Sequence, residues 1–185
     1  MNRDLIIEYF EQYLMDPLKM RLDSYTLEEQ RSDANIQMSL LVNDELITVS
    51  GQGVGLVDAG FNAFVSHFSE KHPSLSTISL SDVYFQIDTS AKDALNLKSK
   101  TIMKLEFEND RKSKVCFMDR TASMGFTAVS VLTKAMEFYV NSETLFKRVK
   151  FLIEEAESRS RPDVAAQYKY ALSKVVEVTS YQYVS

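Results

Sequence analysis

Hydrophobic and polar positions along this chain set out one arrangement twice. Residues 34–42 alternate, with Ile36, Met38, Leu40 and Val42 on one face and Gln37 and Ser39 on the other, the period of a half-buried strand. Asn43-Asp44 predicts a short hairpin turn, because both residues tolerate left-handed backbone, and Leu46–Val49 returns. Gly51, Gly53 and Gly55 make a corner, and a helix follows to about residue 70 with Val57, Phe61, Phe64, Val65 and Phe68 on one stripe. The second copy pairs Met103, Leu105 and Phe107 with a strand at 113–118 through a tight Asn109-Asp110 turn. After a short corner comes a stripe of Ala128, Leu132, Ala135, Met136 and Tyr139. Both stripes have the spacing i, i+4, i+7, i+8, i+11 of one buried helical face.

The remaining segments extend this pair of units. Residues 3–15 place Ile6, Phe10, Tyr13 and Leu14 on one face and predict a helix that Pro17 ends. Residues 20–28 alternate loosely through Leu22, Tyr25 and Leu27 and suit an edge strand. His72-Pro73 closes the first unit, and Val83, Phe85 and Ile87 form a further strand. Residues 89–100 are polar and Lys-rich and read as a mobile loop. Helices are expected at about 126–141, 143–158 and 162–176, the last with Pro162 in its first turn. The expected fold is α+β: two pseudo-symmetric ββα/βββα units with layered antiparallel sheet and helices, plus N- and C-terminal helices. In domain terms this is an N-terminal helix at 1–19, a duplicated body at 20–150 and a helical extension at 151–185.

Composition narrows the function classes. The chain has 185 residues, 45% hydrophobic and 25% charged, an ordinary balance for a globular domain. Its net charge of −5 argues against nucleic acid, which requires a basic surface. No apolar run is long enough to span a bilayer, and Asp4, Glu8 and Glu11 interrupt the N-terminal apolar positions, so no signal peptide is read. A single Cys116 excludes an internal disulfide framework and makes the cytoplasm the default. Cys116 lies in a strand and reads as a small buried residue.

The corner Gly51-Gln-Gly-Val-Gly-Leu-Val-Asp-Ala59 is the principal site candidate. A glycine-rich turn into a helix leaves backbone N–H groups free to take a carboxylate or phosphate. The same residues also suit a tight turn requiring positive φ, and Asp58 suits the first turn of any helix. The spacing is neither that of a dinucleotide fold nor that of a P-loop. His67 and His72 with Glu70 share no helical face, so no zinc site is expected. Neither histidine neighbours a nucleophile, which leaves no triad. Glu45, Asp82, Asp88 and Asp119 are scattered over strand ends and turns, and Glu154, Glu155 and Glu157 read as a solvated helix face. No catalytic constellation, metal site or cofactor site is assembled.

Gly53-Val-Gly-Leu-Val-Asp-Ala59, standing after a hairpin, resembles the Gly-Asn-Gly-Pro-Val-Asp-Ala signature of one domain. That domain is the C-terminal regulatory, dimerising domain of α-isopropylmalate and citramalate synthases. The stretch His72–Asp82 leading into Val83–Ile87 is similar to the family's second-unit entry strand, and Ala135–Asn141 to its closing helix. The resemblance covers about residues 20–150. Val54 stands where the family often has Asn, Leu56 where it often has Pro, and Thr127 where an acidic residue is common. The synthases also carry a TIM-barrel catalytic domain of about 250 residues or more, for which 185 residues leave no room. The resemblance therefore implies a free-standing regulatory domain without enzyme activity. It implies a homodimer that binds leucine or isoleucine near the two corners at the dimer interface, at Gly53, Gly55, Leu56, Asp58, Ala59 and Ala128. In that picture helix N-termini hold the carboxylate, Asp58 faces the ammonium, and Ala59, Gly60, Ala63 and Ala128 leave an apolar space.

Three functions follow as expectations. The chain is a sensor that binds an amino acid and signals to an enzyme. Alternatively it is a dimerisation module that has lost its effector and partners a separate synthase subunit. The third reading, an enzyme in its own right, lacks any site to support it.

Overall fold

The computed structural model describes residues 3–87 and 100–178. The order is α1 (Arg3–Tyr13), β1 (Met20–Glu29), β2 (Ala34–Val42), β3 (Glu45–Gly53), α2 (Leu56–Phe68), a 3-10 turn (Pro73–Thr77), β4 (Ser79–Ile87), β5 (Thr101–Glu108), β6 (Lys114–Thr121), α3 (Met124–Ser158) and α4 (Pro162–Val178). This is an α+β fold of two βββα units with a helix at each end. Each unit carries a three-stranded antiparallel meander, β1-β2-β3 and β4-β5-β6. The stretch at 89–100 lies outside the described residues except for Lys100. Among the described residues no helix is long and apolar enough to cross a membrane.

The duplication extends to a shared irregularity. The ladder between β1 and β2 shifts between Leu22 and Ser24, and that between β4 and β5 shifts between Leu80 and Asp82. An extra residue in a strand reverses its side-chain alternation. Asp23 and Ser81 are those residues, which is why Leu22 and Tyr25, or Leu80 and Val83, share a face three positions apart. The loose alternation of residues 20–28 is thus a bulge in an otherwise regular strand.

Asn43 and Asp44 both have positive φ, 47° and 66°, and Val42 pairs with Glu45. This is the two-residue turn whose twist suits a hairpin. The second hairpin differs from expectation. Asn109-Asp110 is not its tight turn. The loop runs over residues 109–113, with positive φ only at Lys112. Asn109 organises it by accepting the Arg111 and Ser113 amides on its side-chain oxygen, both at 3.0 Å.

The inner sheet faces hold Ile36, Met38, Leu40 and Val49 in the first unit and Met103, Leu105, Phe107, Val115 and Phe117 in the second, all buried. Helix α2 packs on β2 and β3, and α3 packs on β5, β6, α2 and β1. Cys116 does not join that core. It alternates with Val115 and Phe117, is half-buried on the opposite face, and burial pushes its thiol pKa up.

The largest departure is the length of α3. Helices expected at 126–141 and 143–158 are one continuous element of 35 residues, about 52 Å long. The boundary expected at residue 150 falls inside it. The polar run Asn141-Ser-Glu-Thr144 resembles a break, yet Asn141, Ser142 and Glu143 are buried and bonded. Asn141 clamps the backbone of Leu18, accepting its amide and donating to its carbonyl, each at 2.8 Å. Ser142 and Thr144 donate back to the carbonyls of Phe138 and Val140. Glu143 Oε2 accepts the amide and hydroxyl of Ser74 at 3.1 and 2.7 Å, while Oε1 meets Lys147 at 2.7 Å. A helix read as ending in Asn141 runs on because tertiary partners hold Asn141 and Glu143, while Ser142 and Thr144 bond carbonyls of their own helix.

Candidate functional site

The three glycines of the first corner have different causes. No glycine among the described residues has positive φ, so the tight-turn reading is incorrect. Gly51 lies against the backbone of α2: a Cβ there would stand 2.5 Å from the Ala59 carbonyl oxygen and 2.7 Å from the Ala63 Cα. Gly53 lies against the helix start, where a Cβ would stand 2.5 Å from the Ala59 nitrogen and from Asp58 Oδ2. Both are required because β3 and α2 approach more closely than a side chain permits. Gly55 is different. Its backbone is extended, and the nearest atom to a Cβ would be Glu29 Oε1 at 3.7 Å. No backbone crowds Gly55.

Gly55 is the N-cap of α2 and brings no side-chain oxygen to its amides. Its carbonyl accepts the Ala59 amide at 2.9 Å. Asp58, at the third helical position, turns back: Oδ2 accepts the amide of Val54, the residue before the cap, at 3.0 Å. Asn62 donates to the Gln52 carbonyl at 2.8 Å and ties the helix to the end of β3. Beside the corner, Gln30, Ser32 and Asp33 of the β1–β2 turn face Gln52, Gly53 and Val54 across a shallow cleft. Carboxylates therefore surround the start of α2: Glu29, Asp33 and Asp58. That setting opposes a simple anion but suits a zwitterion, with N–H groups for its carboxylate and acidic side chains for its ammonium.

The second corner is closed by its own side chains. Ser123 is the N-cap of α3, and its hydroxyl accepts the Phe126 amide at 3.3 Å. Thr127 donates to the Ser123 carbonyl at 2.7 Å and shares a 2.7 Å hydrogen bond with Thr121. Thr127, where the resemblance would place an acidic residue, thus serves to knit the turn.

Of the expected site residues, Gly53, Gly55, Leu56 and Asp58 gather at the first corner. Ala59 and Ala128 are fully buried and line no open space. Ala59 and Ala63 form the surface on which Gly51 rests, and Gly60 receives the Leu132 side chain. The small residues make room for close packing of α2, where an apolar ligand space was expected. The two corners nevertheless meet within one chain: Gly125 lies against the Tyr25 hydroxyl and near Leu56. Tyr25 and Glu29, both from β1, stand at this site without any mark in the sequence beyond a weak strand alternation. Among the described residues no group of three or more His, Cys, Asp or Glu side chains could hold a metal ion.

A scan against protein-family models finds no match to this chain, and a search of curated proteins finds none either.

Proposed function

We propose that this chain is a non-catalytic regulatory domain of the kind found in α-isopropylmalate and citramalate synthases, a homodimer that binds leucine or isoleucine at the first corner. The observation that carries this reading is the difference between the two corners. The second fills its helix N-terminus with Ser123, whereas the first presents Gly55, which fills nothing. The effector carboxylate sits on the amides near Gly55 and Leu56. Glu29 and Asp58 face its ammonium, Asp58 through the oxygen that does not hold Val54.

The homodimer has its own support. Val83, Phe85 and Ile87 share a face with Leu105, Met103 and Thr101, their register partners on β5. The β5 residues are buried, but the three on β4 are 45%, 50% and 41% exposed. In the first unit the equivalent Tyr25 and Leu27 pack on the core. Among the described residues no helix covers β4. A row of apolar side chains left open on an edge strand is the usual mark of an interface.

One observation favours the second reading, a dimerisation module paired with a separate synthase subunit. Asp58 already occupies the Val54 amide, so part of the corner is satisfied from within. Titration calorimetry with leucine, isoleucine, valine and lysine separates the two. The reading expects wild type to bind leucine or isoleucine and Gly55→Ser to lose that binding. The new hydroxyl would cap the same amides without lowering stability, since Ser is a favoured N-cap. Saturation should raise stability by about 2.7 kcal/mol at a hundredfold excess over Kd. If wild type binds none of the four, the module reading replaces the sensor.

A further inference from the structure

We propose that the groove between α1, β6 and α3 is a binding site for a small monocarboxylate with an apolar body, held by Arg3 over an aromatic floor. The groove encloses about 300 Å³, the size at which small-molecule sites begin. Phe10, Phe117 and Phe138 form its floor and the exposed Met118 one wall. The floor is preorganised: the Phe138 ring lies 5.6 Å from that of Phe10 and 5.4 Å from that of Phe117.

Arg3 is held at this floor from two sides. Its Cζ stands 5.7 Å from the centre of the Phe117 ring, and Nη1 donates to the Cys116 carbonyl at 3.1 Å. The opposite edge of the guanidinium is only weakly held. Among the described residues Nη2 reaches only the exposed Asp4, at 3.4 Å, and Nε is enclosed without an acceptor. An enclosed donor without a partner is unfavourable. Nε and Nη2 together form the fork that takes both oxygens of a carboxylate. The side chain is 40% exposed, so a ligand meets Nη2 directly, and a small turn of the side chain brings Nε to the second oxygen.

The surrounding charges select the ligand class. Lys134 lines the groove and is paired with Asp119 at 2.9 Å. Glu137 also lines it, with Oε2 committed to the Met20 amide at 2.5 Å. With Asp4, Asp119 and Glu137 nearby, a second negative charge on the ligand is repelled, so a monoanion fits and a dicarboxylate or phosphate does not. The aromatic floor requires an apolar body on that anion. This site shares no residue with the Gly53–Ala59 corner and does not rest on the reading of that corner.

The test is calorimetric titration of the full chain with 4-methylpentanoate, compared with its uncharged amide. The carboxylate should bind, and the amide should bind at least tenfold more weakly. Arg3→Gln should lower carboxylate affinity roughly ten- to a hundredfold through loss of a charge-assisted hydrogen bond. Met118→Glu, on the exposed wall, should do likewise through like charge while its thermal melt stays that of wild type. Gly55→Ser, which caps the amides of the corner, should leave affinity unchanged. Absence of carboxylate binding, equal binding of the amide, or wild-type affinity in both groove variants would overturn the proposal. Loss of binding in Gly55→Ser alone would move the carboxylate to the corner and overturn it too.

Discussion

Gly51→Ala is the sharpest perturbation of the contact between β3 and α2. A Cβ at this position stands 2.5 Å from the Ala59 carbonyl oxygen and 2.7 Å from the Ala63 Cα. Both are helix backbone, so no side chain can swing aside, and α2 must lift by about 1 Å to reach ordinary contact. A gap of that size forfeits a quarter to a half of each van der Waals contact along the seam. Overpacking of this kind costs about 1–3 kcal/mol. The lost freedom of glycine in the unfolded chain returns about 0.4–1 kcal/mol, so the net destabilisation centres on about 1.3 kcal/mol and reaches at most about 2.6 kcal/mol. At this chain length each kcal/mol moves Tm by about 2–4 °C, which gives a central drop of about 3–5 °C. Gly55→Ala is the internal comparison, because the space at Gly55 is open, and its cost should stay below about 1 kcal/mol. Urea unfolding followed by circular dichroism at equal m-value, with thermal melts alongside, measures both. If Gly51→Ala is as stable as Gly55→Ala, close approach is not what requires glycine at 51.

Asn141→Ala should cost about 1–3 kcal/mol in urea unfolding, since two hydrogen bonds to Leu18 are lost and its backbone groups stay partly enclosed; a wild-type midpoint would show that the clamp contributes nothing. Burial holds the His72 pKa below its ordinary 6.5; Lys147 and Lys71 reinforce this, and Glu143 opposes it. The unfolded chain therefore takes up the proton first as pH falls, and the stability contributed by neutral His72 is present above about pH 6.5 and lost below it. Urea midpoints at pH 7.5 and 5.5 should show that decline, and His72→Gln should reduce it; an unchanged decline would assign it to other groups. Phe85→Lys on the exposed face of β4 should convert a species of twice the 21.1 kDa chain mass into a monomer on light scattering. Its thermal melt at low concentration should match wild type, and a wild type that is itself monomeric would refute the interface.

Regular alternation and helical periodicity mark nearly every element in the sequence. The strand 34–42, the Asn43-Asp44 turn and the stripe from Ala128 to Tyr139 are all where those patterns place them. Their causes are local: the pleat, left-handed tolerance in Asn and Asp, and 3.6 residues per turn. The corner was also legible, because three glycines in five residues are conspicuous. The reasons for them were not. Local reasoning offers positive φ as the use of glycine, whereas Gly51 and Gly53 answer to the backbone of α2, which neighbours them only in space.

The same limit explains the long helix. Asn141-Ser-Glu-Thr144 has poor helix propensity, and propensity alone ends a helix there. Leu18 and Ser74 satisfy Asn141 and Glu143 across sequence separations of 123 and 69 residues, and no local pattern records such partners. The exposure of Val83, Phe85 and Ile87 is of the same kind, since an apolar alternating strand reads identically whether or not a helix covers it. The sequence by itself determined the periodic elements and the duplication, because each depends on neighbours along the chain. Tertiary structure alone decided which glycines are crowded, which helix N-terminus is left uncapped and which apolar face is left open, because those depend on atoms that folding brings together.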